Sequence, residues 1–233
     1  MLRLLPIFLC FALSADSQAA GPLTGFPFAD ESLAYNVSWP SGLSLGEAHM
    51  TAHRVTDGWS FSFSIDAGIP GFQVKDTYSS RATNDLCSTE FTRNFSHGSR
   101  RSEEKETIDR SLEQVTRKTI PNGGGQSTFS VPDCIKDGLT ALYYARRELG
   151  QGRVAPAQEI LFGGLYDMSL SWAGEATIKV GGKPAVSDKV LCSFKGPASS
   201  ILVEAYFARD AARTLLLVKA PLAVGSFSME LTR

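Results

Sequence analysis

The chain has 233 residues, 23 of them basic and 24 acidic, for a net charge of −1. That balance argues against nucleic acid or an anionic membrane surface as the main partner. A chain of this length can form one domain if it is rich in β-structure.

The N-terminus reads MLRLLPIFLCFALSADSQAAG. Arg3 supplies the positive end, Leu4 to Leu13 the apolar run, and Ser17-Gln18-Ala19 a small-x-small cleavage signal. This pattern predicts a signal peptide over residues 1–19, cut after Ala19, with Ala20 as the neighbouring alternative. Cys10 lies inside the apolar run and follows Leu9, where a lipoprotein signal has a small residue, so a lipid anchor is disfavoured. No later segment reaches the roughly 18 apolar residues of a membrane helix. The expectation is an exported protein with a flexible stretch at 20–29, one β-rich domain over 30–233 and no transmembrane segment.

Strand signals start at once. Leu33, Tyr35, Val37 and Trp39 recur at period two, with Pro40-Ser41-Gly42 as a turn. Gly42-Leu43-Ser44-Leu45-Gly46 matches the Gly-x-Ser-x-Gly pattern of a nucleophile elbow. That chemistry needs a strand-to-helix turn and a nearby histidine. Here strands flank the motif on both sides, and the downstream histidine, His97, sits in a polar turn, so a hairpin is the better reading. His49 and His53 are four apart, the spacing of a helical metal pair. On a strand they share a face but stand about 13 Å apart, too far for one ion. No metal site is expected.

Trp59, Phe61, Phe63 and Ile65 alternate with Ser60, Ser62, Ser64 and Asp66, bounded by Asp57-Gly58 and Pro70-Gly71. The charged segment Arg93 to Lys118 follows, with a hairpin turn at Ser96-His97-Gly98-Ser99. It predicts long polar strands, either a solvated sheet edge or a projecting hairpin, or else a charged docking surface. Glu103, Glu104, Glu106 and Asp109 could supply an acid pair for sugar hydrolysis, but charge runs of this kind are usually wet surface. Pro121 to Gly125 is a connector.

Cys134 to Gly152 reads CIKDGLTALYYARRELGQG and predicts a helix over about 136–149. Ile135, Leu139, Leu142, Tyr143 and Leu149 form one apolar stripe. Asp133 or Asp137 can cap its start, Arg146 and Arg147 meet the negative end of its dipole, and Gly150 can end it in the left-handed region. A helix with one apolar stripe must lie on something apolar, and the concave face of the sheet is the available surface. Tyr143 and Arg146 are candidates for the mouth of a ligand pocket; alternatively, Tyr143 packs on the sheet and Arg146 pairs with a strand carboxylate. Further strands are predicted at Ile201, Val203, Ala205 and Phe207, at Leu215 to Val218, and at Phe227, Met229 and Leu231, with a turn at Gly181-Gly182. Trp39, Trp59 and Trp172 are expected in the core.

Three cysteines follow the signal segment, and three pairings are open. Cys87, at a strand start, and Cys134, at the helix entrance, are the favoured pair, since bridges often tie a loop to a sheet at such places. Closing that loop stabilises by roughly 4 kcal/mol on the chain-entropy argument. Cys192 is then a lone buried thiol. No Cys-x-x-Cys spacing points to redox catalysis or zinc.

From Cys134 onward the pattern resembles domain-of-unknown-function family 3108, a bacterial family of exported proteins. The matching features are Asp137, Leu139, Leu142, Tyr143, Arg146 and Gly152 around the helix, then strands, then an Asp-x-x-Arg turn at Asp210 to Arg213. Glu31 to Tyr35 and Gly46 to Ala48 match its start, so the likeness covers about residues 30–232. A proline commonly follows the turn's arginine, whereas here Thr214 does. The resemblance implies a periplasmic or cell-envelope half-barrel or open barrel, with no catalytic residues to carry over.

The expected fold is mainly β: a curved antiparallel sheet, half-open or closed into a barrel, packed against one amphipathic helix. The leading functional expectation is a non-catalytic, cofactor-free envelope protein that binds an apolar or amphiphilic ligand such as a lipid or lipoprotein. The second is an interaction module that docks an envelope protein through sheet edges or the 93–118 segment. The third, more distant, is a hydrolase. Alternation shows which face is inward but not whether the interior is full.

Overall fold

The computed structural model describes residues 30–69, 71–120, 124–197, 199–222 and 225–232. The predicted signal peptide, its cleavage site, Cys10 and the stretch at 20–29 lie outside the described residues.

Eight strands come first: β1 (Asp30–Ser38), β2 (Ser44–Val55), β3 (Gly58–Ile69), β4 (Phe72–Thr83), β5 (Ser88–His97), β6 (Arg100–Asp109), β7 (Gln114–Ile120) and β8 (Gln126–Ser130). The two-residue β9 (Lys136–Asp137) leads into the helix α1 (Gly138–Gly150). Six strands follow: β10 (Gln158–Leu161), β11 (Leu165–Val180), β12 (Lys183–Lys195), β13 (Ser200–Ala208), β14 (Leu215–Leu222) and β15 (Gly225–Leu231). All belong to one sheet in the order β8 to β1, then β15 down to β9. The two meanders join where β1 pairs antiparallel with β15, Val37 opposite Met229. Every ladder is antiparallel except β9 on β10. The sheet curves but does not close; its ends are β8 and β9.

The period-two readings hold. Leu33, Tyr35 and Val37 of β1, Ala48, Met50 and Ala52 of β2, and Trp59 and Phe61 of β3 are all buried on the concave face. The bulges at Val37/Ser38, Arg81/Ala82 and Trp172/Glu175 bend the strands that must curve.

The helix begins two residues later than its sequence pattern suggests, because Lys136 and Asp137 pair with Ile160 and Leu161 as a strand. Asp137 is the cap: one carboxylate oxygen accepts from the Leu139 and Thr140 N–H groups at 2.9 and 3.1 Å. The other accepts from Ser80 Oγ (2.5 Å), Ser88 Oγ (2.6 Å) and Thr140 Oγ1 (2.8 Å). Full burial pushes this carboxyl's pKa up, against the pull of those donors. Gly150 does not end the helix in the left-handed region; it is the last helical residue, and Gly152 at φ +74° makes the turn. The Cys87–Cys134 disulfide closes beside the cap, across a sequence separation of 47. Next to it, Ser88 N–H donates to the Ile135 carbonyl at 3.0 Å.

The other half of the helix is held by Arg146. Its guanidinium makes two bonds to Glu31, at 2.7 and 2.8 Å, while Nε donates to the Ala212 and Arg213 carbonyls at 3.3 and 3.1 Å. The arginine side chain is fully buried. One turn back, Tyr143 stacks on Phe61 with ring centroids 4.2 Å apart. Tyr35 reaches the same corner and donates to the Leu215 carbonyl at 3.0 Å.

A buried pair broken from one side leaves an uncompensated charge, which costs about 3–5 kcal/mol. Arg146→Ala and Glu31→Ala should each lower unfolding stability by that order in urea titrations. Because the double variant leaves no orphaned charge, it should cost less than the two single losses added. Additive losses would show that the pair does not hold the helix.

Candidate functional site

The helix does not fill the concavity. Between α1 and the inner face of β11 to β15 lies a cavity of about 910 Å³, near the upper end of small-molecule pockets at about 300–1,000 Å³. The helix contributes Leu139, Leu142, Ala145 and Leu149 to its wall. Strand β13 contributes Ile201, Val203, Ala205 and Phe207, and β12 contributes Val190, Cys192 and Phe194. Among the described residues no charged side chain lines it. Several inward-facing apolar residues, including Leu142, Phe63, Ile201, Val203, Val218 and Met229, are only partly buried. Inward apolar surface left partly open marks an unfilled interior rather than a packed one.

Exposure grades along β13. Ser200 is exposed, Ile201 and Val203 are intermediate, and Ala205 and Phe207 are 5% and 2% exposed. The open end is therefore at Ser199, Ser200 and Pro221, and the closed end is beside the Arg146–Glu31 pair. At the open end Gly196 sits on Tyr166: a Cβ there would meet the ring at 2.4 Å. Cys192 is the expected lone thiol; it stands in the cavity wall, and burial pushes its pKa up to about 12.

Beyond the cavity, the inward face of β5 to β7 carries a charged cluster between buried Phe91 and the apolar cluster of Ile108 and Val115. The segment 93–118 is not simply wet surface: Arg93, Glu104, Glu106 and Arg117 point inward beneath the turn Phe162-Gly163-Gly164. Arg93 pairs with Glu104 at 2.7 Å, and Arg117 donates to the Gly163 carbonyl at 2.6 Å. A side chain at Gly163, which has φ +70°, would collide with the Arg93 guanidinium at 2.3 Å. Phe162 divides the two regions, lining the cavity while packing on Tyr78 and Phe91. Tyr78 donates to Asp76 at 2.9 Å, and His97 lies 2.9 Å from the same carboxylate.

The sequence candidates fall as follows. Tyr143 and Arg146 face the sheet as described, and neither is among the cavity-lining residues. Ser44 opens β2 and donates to Asn36 at 2.6 Å within the β1–β2 hairpin. His49 and His53 stand on the outer face of β2, where His49 lies 3.7 Å from Glu47 and His53 3.4 Å from Asp30. No cluster of three metal-ligating side chains occurs among the described residues. Asp109 accepts from the Ser111 hydroxyl and the Leu112 N–H in a turn, and the Ser111 bond holds its carboxyl below the usual range. Trp59 is in the core and Trp39 packs edge-on against Phe227. Trp172 is not a core residue: it is 55% exposed, although it stands on the inward face of β11 opposite Val190, and it donates to Asp188 at 3.2 Å. The inward charges of β5 to β7 were missed because their alternation pairs polar with polar. The signal was present in the spacing Arg93, Phe95, His97, but hydropathy does not single it out.

Glu106 is 1% exposed and neither oxygen makes a well-formed hydrogen bond. Desolvation pushes its pKa up to about 7, although Arg93, the Gly163 peptide and Arg117 pull it back. The folded state therefore holds this proton more tightly than the unfolded chain, whose value is near 4.5. Stability should fall as pH rises from about 4.5 to about 7, and Glu106→Gln should remove that part of the fall. Urea midpoints across this window test it; identical slopes in the two proteins would exclude the effect.

No helix among the described residues is long and apolar enough to cross a membrane, and the Cys87–Cys134 bridge is what an oxidising, exported setting favours. No curated protein matches the chain. Among solved structures, it is similar to a β-barrel-like protein of domain of unknown function DUF1849 from Brucella abortus. The TM-score is 0.64 at 7% identity, covering 88% of this chain and 96% of that one, a likeness of fold alone. Residues 34–232 match the family described as Protein of unknown function (DUF3108), and the chain belongs to that family.

Proposed function

We propose that this is a non-catalytic protein of the bacterial cell envelope, exported to the periplasm, that binds an apolar or amphiphilic molecule between α1 and the sheet. The observation that carries the reading is the cavity of about 910 Å³, with no charged lining among the described residues and with inward apolar side chains left partly open. Burying such surface is favourable at about 25 cal/mol per Å², so an apolar ligand gains what the protein's own side chains forgo. The charges that could do chemistry, on Arg93, Glu104, Glu106 and Arg117, lie beyond Phe162, outside the cavity wall.

The alternative is a docking module. It draws support from β8, a sheet edge whose outer backbone groups have no neighbouring strand among the described residues and are a template for a partner strand.

Native mass spectrometry of the protein purified from its own envelope, followed by lipid extraction, separates the two. A co-purifying apolar molecule, lost when Ala205→Trp fills the cavity in a protein that still folds, is the expected result. A ligand-free mass, together with a protein crosslinked at β8, would overturn it in favour of docking.

A further inference from the structure

The cavity has a direction, and the helix is a fixed wall of it rather than a lid. At its start α1 is tied by the Cys87–Cys134 bridge and by Asp137, which collects five donors from three elements. Further along, Arg146 is bound to Glu31 and to two carbonyls of the β13–β14 turn. Swinging the helix away would break two buried polar clusters, and the disulfide four residues before it holds its entrance in place. A ligand must come and go elsewhere, and exposure along the wall says where: it rises from Phe207 and Leu215, both 2% exposed, to exposed Ser199, Ser200 and Pro221.

The four lining residues of β13, from Ile201 to Phe207, span about 20 Å by strand rise. The cavity is therefore long, and its wall includes Met50, Met168 and Met229, side chains that adapt to a flexible occupant. An ion inside would find no charged partner among the described lining residues, which is costly. The serine hydroxyls of the lining are at the open end.

Resting on the carrier reading above, the geometry points to one occupant and one orientation: the long hydrocarbon chain of an amphiphile, with its methyl end between Leu149 and Phe207 and its polar group in water at Ser199 and Ser200. Loading and release run through that mouth while α1 stays in place.

Two tryptophans report the two ends. Trp59 stacks with Phe61, which stacks on Tyr143 beside the Arg146–Glu31 pair at the closed end, and Trp39 packs on Phe227 beside the mouth strand β14. The test uses the mature Trp39→Phe/Trp172→Phe protein, in which Trp59 remains as the sole reporter. The probes are stearic acids carrying a nitroxide near either the carboxyl or the methyl end. Binding is read independently, from immobilisation of the nitroxide spectrum. Both probes should be immobilised, and the methyl-end nitroxide should quench Trp59 more strongly. In the Trp172→Phe protein, the emission in excess of that of the double variant comes from Trp39, and the carboxyl-end nitroxide should quench it more strongly. Immobilised probes with the reverse or an equal order would overturn the orientation and leave the carrier reading intact. Free tumbling of both probes would sink the carrier reading and this inference with it.

Discussion

A curved sheet of fifteen strands has more concave surface than its own side chains can fill, and the structure is organised around covering that surface. Side chains from one face reach only a few ångströms inward, whereas packing density in a protein interior leaves little empty space. Two covers share the work. Helix α1 lies over the apolar half, and the Phe162-Gly163-Gly164 turn lies over the charged half. The helix brings a row of leucines but not enough volume to meet β13 and β14, and the remaining gap is the cavity.

Because the helix touches a partly hollow interior, it cannot be held by apolar packing alone. Its fixtures are covalent and polar. The disulfide limits the unfolded chain, the Asp137 carboxylate joins β4, β5 and the first helical turn, and Arg146 ties α1 to β1 and to the β13–β14 turn. A buried ion pair is weak evidence for stability but fixes position well, and position is what this helix requires. Glu31 and Arg146 are 115 residues apart in the chain, so their bond also holds the two meanders together near the β1–β15 junction.

That long-range character explains what could be read from the sequence. The inward residues of β13, the alternation of β1 and β3, the helix with its Asp137 cap, and the Cys87–Cys134 pair all rest on local period or local placement, and the structure has them. The start of the helix was misread because Lys136 and Asp137 pair with β10, a contact no local signal announces. Trp172 was misread because composition places tryptophan inside on average; register does put it on the inward face, opposite Val190, yet it stays 55% exposed there. The hollow could not be read at all. Alternation says that Ile201 and Val203 face inward; it does not say how far away the opposite wall stands. Glu106 is the harder lesson: in a run of charges, every second residue still turns inward.

The charged half has its own logic. Arg93, Arg117, Glu104 and Glu106 are two cations and two anions, a neutral set when all are ionised. Glu106 is the member without good hydrogen bonds, and its pKa near 7 lets the set change charge close to neutrality. Apolar packing in their place would have widened the core, but it would also have extended the apolar wall past Phe162. With charges there, hydrocarbon gains nothing by spreading past Phe162 onto Arg93, Glu104, Glu106 and Arg117, because it would strip water and counter-charge from groups that need them. The cluster thus bounds the cavity on its Phe162 side, so the shape of the site is set as much by where charge is buried as by where it is absent.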